Sequence, residues 1–107
     1  MPEFSYRVRE QDQVSVVEVS GDVDMSVAGQ LSEALEQLVP VGDVVLDCTG
    51  VTFFDSMGLR VAVNALNQAA QAGTAFSLVP SHTVARVLEL AGVTSIFVIH
   101  DSVPTSA

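Results

Sequence analysis

The run Val44-Val45-Leu46-Asp47-Cys48 and, a few residues on, Phe53-Phe54-Asp55-Ser56-Met57-Gly58-Leu59 decide the fold class of this chain. The first is a short apolar stretch with the length of a buried strand. Beyond the second, Leu59, Ala62, Val63, Leu66, Ala69 and Ala70 recur at helical spacing. Asp55 and Ser56 therefore stand at a strand-to-helix junction. There the first backbone N–H groups lack intrahelical partners and the helix dipole favours negative charge. A hydroxyl at such a place serves as a plain cap or as the acceptor of a phosphate.

The pattern extends outward on both sides. Phe4, Tyr6 and Val8 alternate with polar residues, and Gln11-Asp12-Gln13 turns the chain into a second strand over 14–20, so the opening reads as a β-hairpin with one buried face. Gly21-Asp22-Val23-Asp24 ends that hairpin. From Ser26, the residues Val27, Leu31, Ala34, Leu35 and Leu38 mark an amphipathic helix, capped by Asp24 or Ser26 and stopped by Pro40 and Gly42. The third strand is expected over 44–47, and the second helix continues to about Ala72, where Gly73 is placed for a left-handed stop. A fourth strand follows over 75–79. Ser81 caps a third helix with Val84, Val87, Leu88 and Ala91 inward until Gly92, and Phe97-Val98-Ile99 forms a last strand.

This order predicts an α/β fold: one domain over residues 1–107 with a mixed sheet, its later strands parallel through right-handed helical crossovers and its hairpin adding an antiparallel edge. No repeat or interdomain linker interrupts it. The tail, 101–107, is small and polar and is expected to fray. Ligands of such sheets gather at the carboxyl ends of the parallel strands. Both Asp22-Val23-Asp24 and Asp55-Ser56 follow strands in that sense, so the two acidic loops are expected to face each other.

Composition narrows the function classes. A chain of 107 residues buries roughly two-thirds of its unfolded surface on folding, enough for a core of its own. Mean hydropathy is +0.45, yet no apolar run approaches the roughly 18 residues that span a bilayer. The opening residues lack the basic and apolar regions of a signal peptide, so a cytoplasmic address is expected. Thirteen acidic residues against four arginines give a net charge of −9, which repels nucleic acid and anionic membranes and suits a partner with a basic face. The absence of lysine excludes a Schiff base and a P-loop lysine. Cys48 stands alone, which leaves no internal disulfide, and its place in a strand reads as a small buried hydrophobe.

The remaining chemistry is thin. Asp55-Ser56-Met57-Gly58 has a superficial likeness to the nucleophile elbow of α/β-hydrolases, but the first glycine of G-x-S-x-G is missing, and only His82 and His100 could act as base. Asp22, Asp24, Asp55 and the histidines show no metal-ligand spacing, and Gly21, Gly50 and Gly58 do not form a dinucleotide loop, so no metal or cofactor is expected. Arg60 and Arg86 lie on helices, either as solvated side chains or as contacts to a partner. Met57 fills a gap in the core or offers an adaptable contact. A phosphate on Ser56 would meet the free N–H groups of the helix start and add about 1.5 to 2 negative charges beside Asp55, which makes it an off switch for binding.

Taken together, Gly21-Asp22-Val23-Asp24, Val44-Val45-Leu46-Asp47, Val51-Thr52-Phe53-Phe54-Asp55-Ser56-Met57-Gly58-Leu59 and Leu88-Glu89-Leu90-Ala91-Gly92-Val93 resemble a STAS domain of the bacterial anti-sigma factor antagonist family. The resemblance spans nearly the whole chain and rests on the order and spacing of short motifs. It implies a sheet of four or five strands with helices mainly on one face and a non-enzymatic role in partner switching. In that scheme the unphosphorylated antagonist binds an anti-sigma factor that is also a serine kinase, and a sigma factor is freed. Phosphorylation of the first hydroxyl after the motif aspartate, Ser56 here, ends binding, and a PP2C-type phosphatase restores it. ATP belongs to the kinase.

The resemblance makes Asp22, Asp24, Asp55, Ser56, Met57, Gly58 and Arg60 the expected docking surface. Two positions depart from the family. Met57 stands where a second serine or threonine is frequent, leaving Ser56 as the motif's single hydroxyl after the aspartate. Asp22 replaces the glutamate of the G-E-L-D loop, which bears on partner specificity. The alternatives are a STAS sensory module for a nucleotide or small metabolite and, more distantly, a serine hydrolase.

Overall fold

The alternating residues at the start of the chain form an antiparallel hairpin of β1 (Ser5–Gln11) and β2 (Val14–Val23) in a computed structural model that describes residues 3–104. Its two-residue turn holds Asp12 and Gln13 at positive φ, 54° and 68°, a twist that suits tight hairpins. Helix and strand then alternate through α1 (Met25–Leu38), β3 (Val44–Phe54), α2 (Ser56–Ala72), β4 (Phe76–Pro80), α3 (His82–Ala91) and β5 (Val98–Ile99). Single 3₁₀ turns lie at Val39–Val41 and Thr94–Ile96. The sheet order is β1-β2-β3-β4-β5, antiparallel in the first pair and parallel from β2 onward. The mixed α/β sheet and its antiparallel edge are as the sequence predicts. So are the left-handed stops of α2 and α3 at Gly73 and Gly92, φ +74° and +72°.

Two strands are longer than expected. β2 runs past Gly21 to Val23, and β3 runs past Asp47 to Phe54, because the two stay paired in parallel through register shifts at Glu18/Ser20 and Gly21/Asp22. Thr49 and Gly50 hide this continuity in the sequence, since a glycine weakens the strand pattern locally.

All three helices pack on one face. Leu31 and Leu35 of α1, Ala62, Ala65 and Ala69 of α2, and Val84 and Leu88 of α3 close over Val17, Val19, Leu46 and Leu78. Each fully buried valine or leucine contributes about 1.5–3 kcal/mol by leaving water. The expected burial of one face of β1 does not occur: Tyr6 and Val8 remain 39% and 43% exposed. β1 is an edge strand, and a groove of about 440 Å³ separates Tyr6 and Val8 from Gln30, Glu33 and Gln37 of α1.

The opposite face of the sheet buries a smaller apolar cluster, Val16, Val45 and Val79, and the tail covers it. Val103 packs against this cluster, and the Gln11 side-chain amide donates to the Pro104 carbonyl at 2.8 Å. The chain thus crosses from β5 at one edge to β1 at the other. Five extended residues span about 17 Å, close to the roughly 19 Å of four inter-strand spacings. Within the tail expected to fray, residues 103 and 104 make these two contacts, because an apolar side chain amid the polar ones finds a buried partner. Residues 105–107 lie outside the described residues. No described helix is long and apolar enough to cross a membrane.

Candidate functional site

The parallel register sets Asp22 opposite Phe53 and Val23 opposite Phe54, so both strands end side by side and each passes directly into a helix. The Asp55 backbone N–H donates to the Val23 carbonyl at 3.3 Å, joining the two exits. The expected approach of the two acidic loops is therefore present, and it results from one continuous pair of strands.

Each exit is closed by an aspartate cap. At the first, Asp24 Oδ1 accepts from the Ser26 backbone N–H at 2.9 Å and from the Ser26 hydroxyl at 2.6 Å. Of the two caps considered for α1, Asp24 is the one used. The Ser26 hydroxyl holds the Asp24 carboxyl below the usual carboxylate range, with its backbone contacts adding to the effect. At the second exit, Asp55 Oδ1 accepts from the N–H groups of Met57 at 2.9 Å and Gly58 at 3.2 Å. Two of the donors expected to meet a phosphate on Ser56 are thus already taken. Between the strands, the Thr52 hydroxyl donates to Asp22 Oδ1 at 2.7 Å.

Gly58 fixes the position of the second helix start. A Cβ on it would lie 2.7 Å from the Phe54 ring, closer than carbon atoms approach. Its hydrogen lets the first turn of α2 settle on that ring, which is itself buried. Phe54 thus anchors the junction from the core side, while Phe53 points outward at 47% exposure. This resolves the adjacent phenylalanines, which an ordinary strand cannot bury together.

Ser56 is not the cap that the sequence allowed: Asp55 holds that place, and Ser56 is the first helical residue of α2, exposed, its hydroxyl without a hydrogen-bond partner among the described residues. Met57 is half-buried against the core. Arg60, one turn further, is exposed and forms no ion pair among the described residues. The ion pairs that do form are on β1 and β2, where Glu18 meets Arg7 at 2.6 Å and Arg9 at 3.5 Å. The Arg7 hydrogen bond is the main influence holding the Glu18 carboxyl below its ordinary value. Neither cation serves the three aspartates at the other end of the sheet.

Sequence reasoning passed over three residues here. Thr52 joins Asp22, and Met25, the first residue of α1, is 74% exposed beside its cap. Phe53 completes the group. A methionine directly after a capping aspartate was the available signal for Met25, since a helix's first residue precedes the turn that its buried stripe occupies.

Other candidate chemistry is dispersed. His82 begins α3 and is exposed, and His100 follows β5; neither bonds to Ser56 among the described residues. Cys48 is buried, and burial pushes its thiol up to about 12 with a lesser contribution from the Asp47 charge. At that value it is an inert core residue at neutral pH. No described group of three or more His, Cys, Asp or Glu side chains is arranged for a metal ion. Surface grooves of about 530, 440 and 280 Å³ among the described residues are lined by residues other than Asp22, Asp24, Asp55 and Ser56.

Comparison with known proteins agrees with this architecture. The chain aligns with an anti-sigma factor antagonist from Mycobacterium paratuberculosis at 28% identity and TM-score 0.83, covering 94% of this chain and 88% of the other. A Thermotoga maritima protein described as a candidate anti-sigma factor antagonist matches at 25% identity and TM-score 0.77, over 94% and 87% of the two chains. The Bacillus cell fate determinant SpoIIAA in its phosphorylated form shares the fold at 14% identity and TM-score 0.69, over 90% and 91%. Residues 6–99 match the family model described as Mlab, STAS domain. With that match over most of its length and the paired strand exits that carry its motifs, the chain belongs to the STAS domain family.

Proposed function

We infer that this protein is a non-catalytic anti-sigma factor antagonist that works by partner switching. In its unphosphorylated form it binds an anti-sigma factor with serine kinase activity and frees a sigma factor. Transfer of a phosphoryl group from ATP to Ser56 Oγ ends the binding, and a PP2C-type phosphatase hydrolyses the phosphoester to restore it. The docking surface comprises Asp22, Asp24, Asp55, Ser56 and Arg60 with the half-buried Met57, and the buried Gly58 sets the helix start beneath them. Such a protein works in the cytoplasm.

The observation that carries this reading is the exposed hydroxyl of Ser56, without a hydrogen-bond partner among the described residues, beside a carboxylate already committed to capping. A kinase can reach that oxygen without unfolding the cap. Because Asp55 already accepts the Met57 and Gly58 N–H groups, a phosphate on Ser56 faces solvent and adds about 1.5 to 2 negative charges to the surface. The antagonists named among the solved structures, and the phosphorylated form of the Bacillus protein, support the same role.

The test is incubation of the purified protein with ATP and each anti-sigma kinase of its native host, followed by mass-spectrometric mapping. The expected result is a single phosphate on Ser56 and loss of complex on a sizing column. Phosphate at another residue, or an undiminished complex after stoichiometric phosphorylation of Ser56, would overturn the assignment.

A further inference from the structure

Met25 and Ser56 hold equivalent places in the two strand exits: each is the first residue of a helix that starts from an aspartate cap. The strands beneath them are paired neighbours, and packed helices lie about 8–10 Å apart. Phe53 precedes Ser56 by three residues, a span of no more than about 11 Å of chain. Met25 and Phe53 are therefore two large apolar side chains, 74% and 47% exposed, on the same end of the sheet as the serine. Around them the carboxylates of Asp22, Asp24 and Asp55 each accept hydrogen bonds from neutral donors, and none forms an ion pair among the described residues.

We propose that Met25 and Phe53 are the apolar anchors of the docking surface, and that they enter a pocket with a basic rim on the anti-sigma factor. This rests on the reading of Ser56 given above and adds how the switch works. Methionine and aromatic side chains are enriched where partners bury surface, and a few such anchors carry most of the binding energy. Unpaired aspartates around them call for cations on the partner. Ser56, at the same end of the sheet as both anchors, is then covered on binding. A phosphate there has to be stripped of water along with the apolar side chains, and this cost persists when salt screens long-range repulsion.

The experiment is calorimetric titration of the protein, phosphorylated and unphosphorylated, with the purified host kinase that modifies Ser56, at roughly 0.05 M and 0.5 M salt. Met25→Gln and Phe53→Thr keep residues suited to a helix start and a strand, and circular dichroism confirms that each variant is folded. Each is expected to weaken binding by about tenfold or more, while phosphorylated protein fails to bind at both salt concentrations. If both variants bind like the parent while phosphorylation still abolishes binding, the anchors are wrong and the switch stands. If high salt restores binding of the phosphorylated protein, repulsion alone operates and the buried position of Ser56 is refuted. If phosphorylation leaves binding unchanged at both salts, the reading of Ser56 itself fails.

Discussion

The two strand exits, Val23-Asp24-Met25-Ser26 and Phe54-Asp55-Ser56-Met57, are built alike and used differently. Both are parallel strands that end in an aspartate cap. In the first the nearby hydroxyl, Ser26, is spent on its own aspartate at 2.6 Å, whereas in the second it has no partner among the described residues. The difference is one of position. Ser26 is the second helical residue, close to the capping carboxylate; Ser56 is the first, and Asp55 Oδ1 reaches past it to the two following N–H groups. One exit is closed on itself, and the other leaves an oxygen for a reaction.

The largest effect expected from breaking this pair lies under the second exit. Phe54→Ala should cost about 3–5 kcal/mol in a urea unfolding experiment, against about 1.5–3 for its counterpart Val23→Ala. Next comes the third helical residue, where the first exit has Val27 and the second Gly58. Gly58→Val forces a side chain into the Phe54 ring and should cost about 1–3 kcal/mol. Val27→Gly, which makes no clash but removes a half-buried side chain packed on the core, should cost about 1–2 kcal/mol.

Asp55→Ala frees two backbone donors and should lower stability by about 1 kcal/mol. The smallest effects distinguish the serines. Ser56→Ala should leave stability within about 0.5 kcal/mol at any pH. Ser26→Ala should destabilise slightly at neutral pH, because its hydroxyl is the main cause of the lowered Asp24 pKa and solvent screens most of the effect. A carboxyl depressed by folding contributes stability above its unfolded value and loses it as pH falls through the folded one. The gap between parent and Ser26→Ala, followed by acid titration, should therefore close below pH 3.8.

Local features were readable in advance. Ser81 before α3 and glycines at 73 and 92 each act through their immediate neighbours. Long-range features were not. The extension of β3 to Phe54 depends on its pairing with β2, and the exposure of Tyr6 and Val8 depends on how far α1 reaches. At the site, Asp24 was one of two caps that the sequence offered for α1, whereas Asp55 takes the capping place expected of Ser56, because a carboxylate one residue earlier reaches the same N–H groups. The exposure of Met25 and Phe53 could not be read in advance, because a hydrophobic residue carries no mark of whether another element covers it. That the Ser56 hydroxyl has no partner among the described residues likewise follows from Asp55 capping two other groups.

The tail strap bears on how the protein is made. Gln11 and Pro104 are separated by 93 positions, so the contact that closes the bare face of the sheet joins residues translated far apart. At about 5–20 residues per second, that interval lasts roughly 5–20 s. Throughout it, Val16 and then Val45 leave the ribosome without the side chain that later packs on them. The newborn chain thus carries a sticky sheet face for several seconds, and this face, opposite the helical layer, is where a chaperone would be of use.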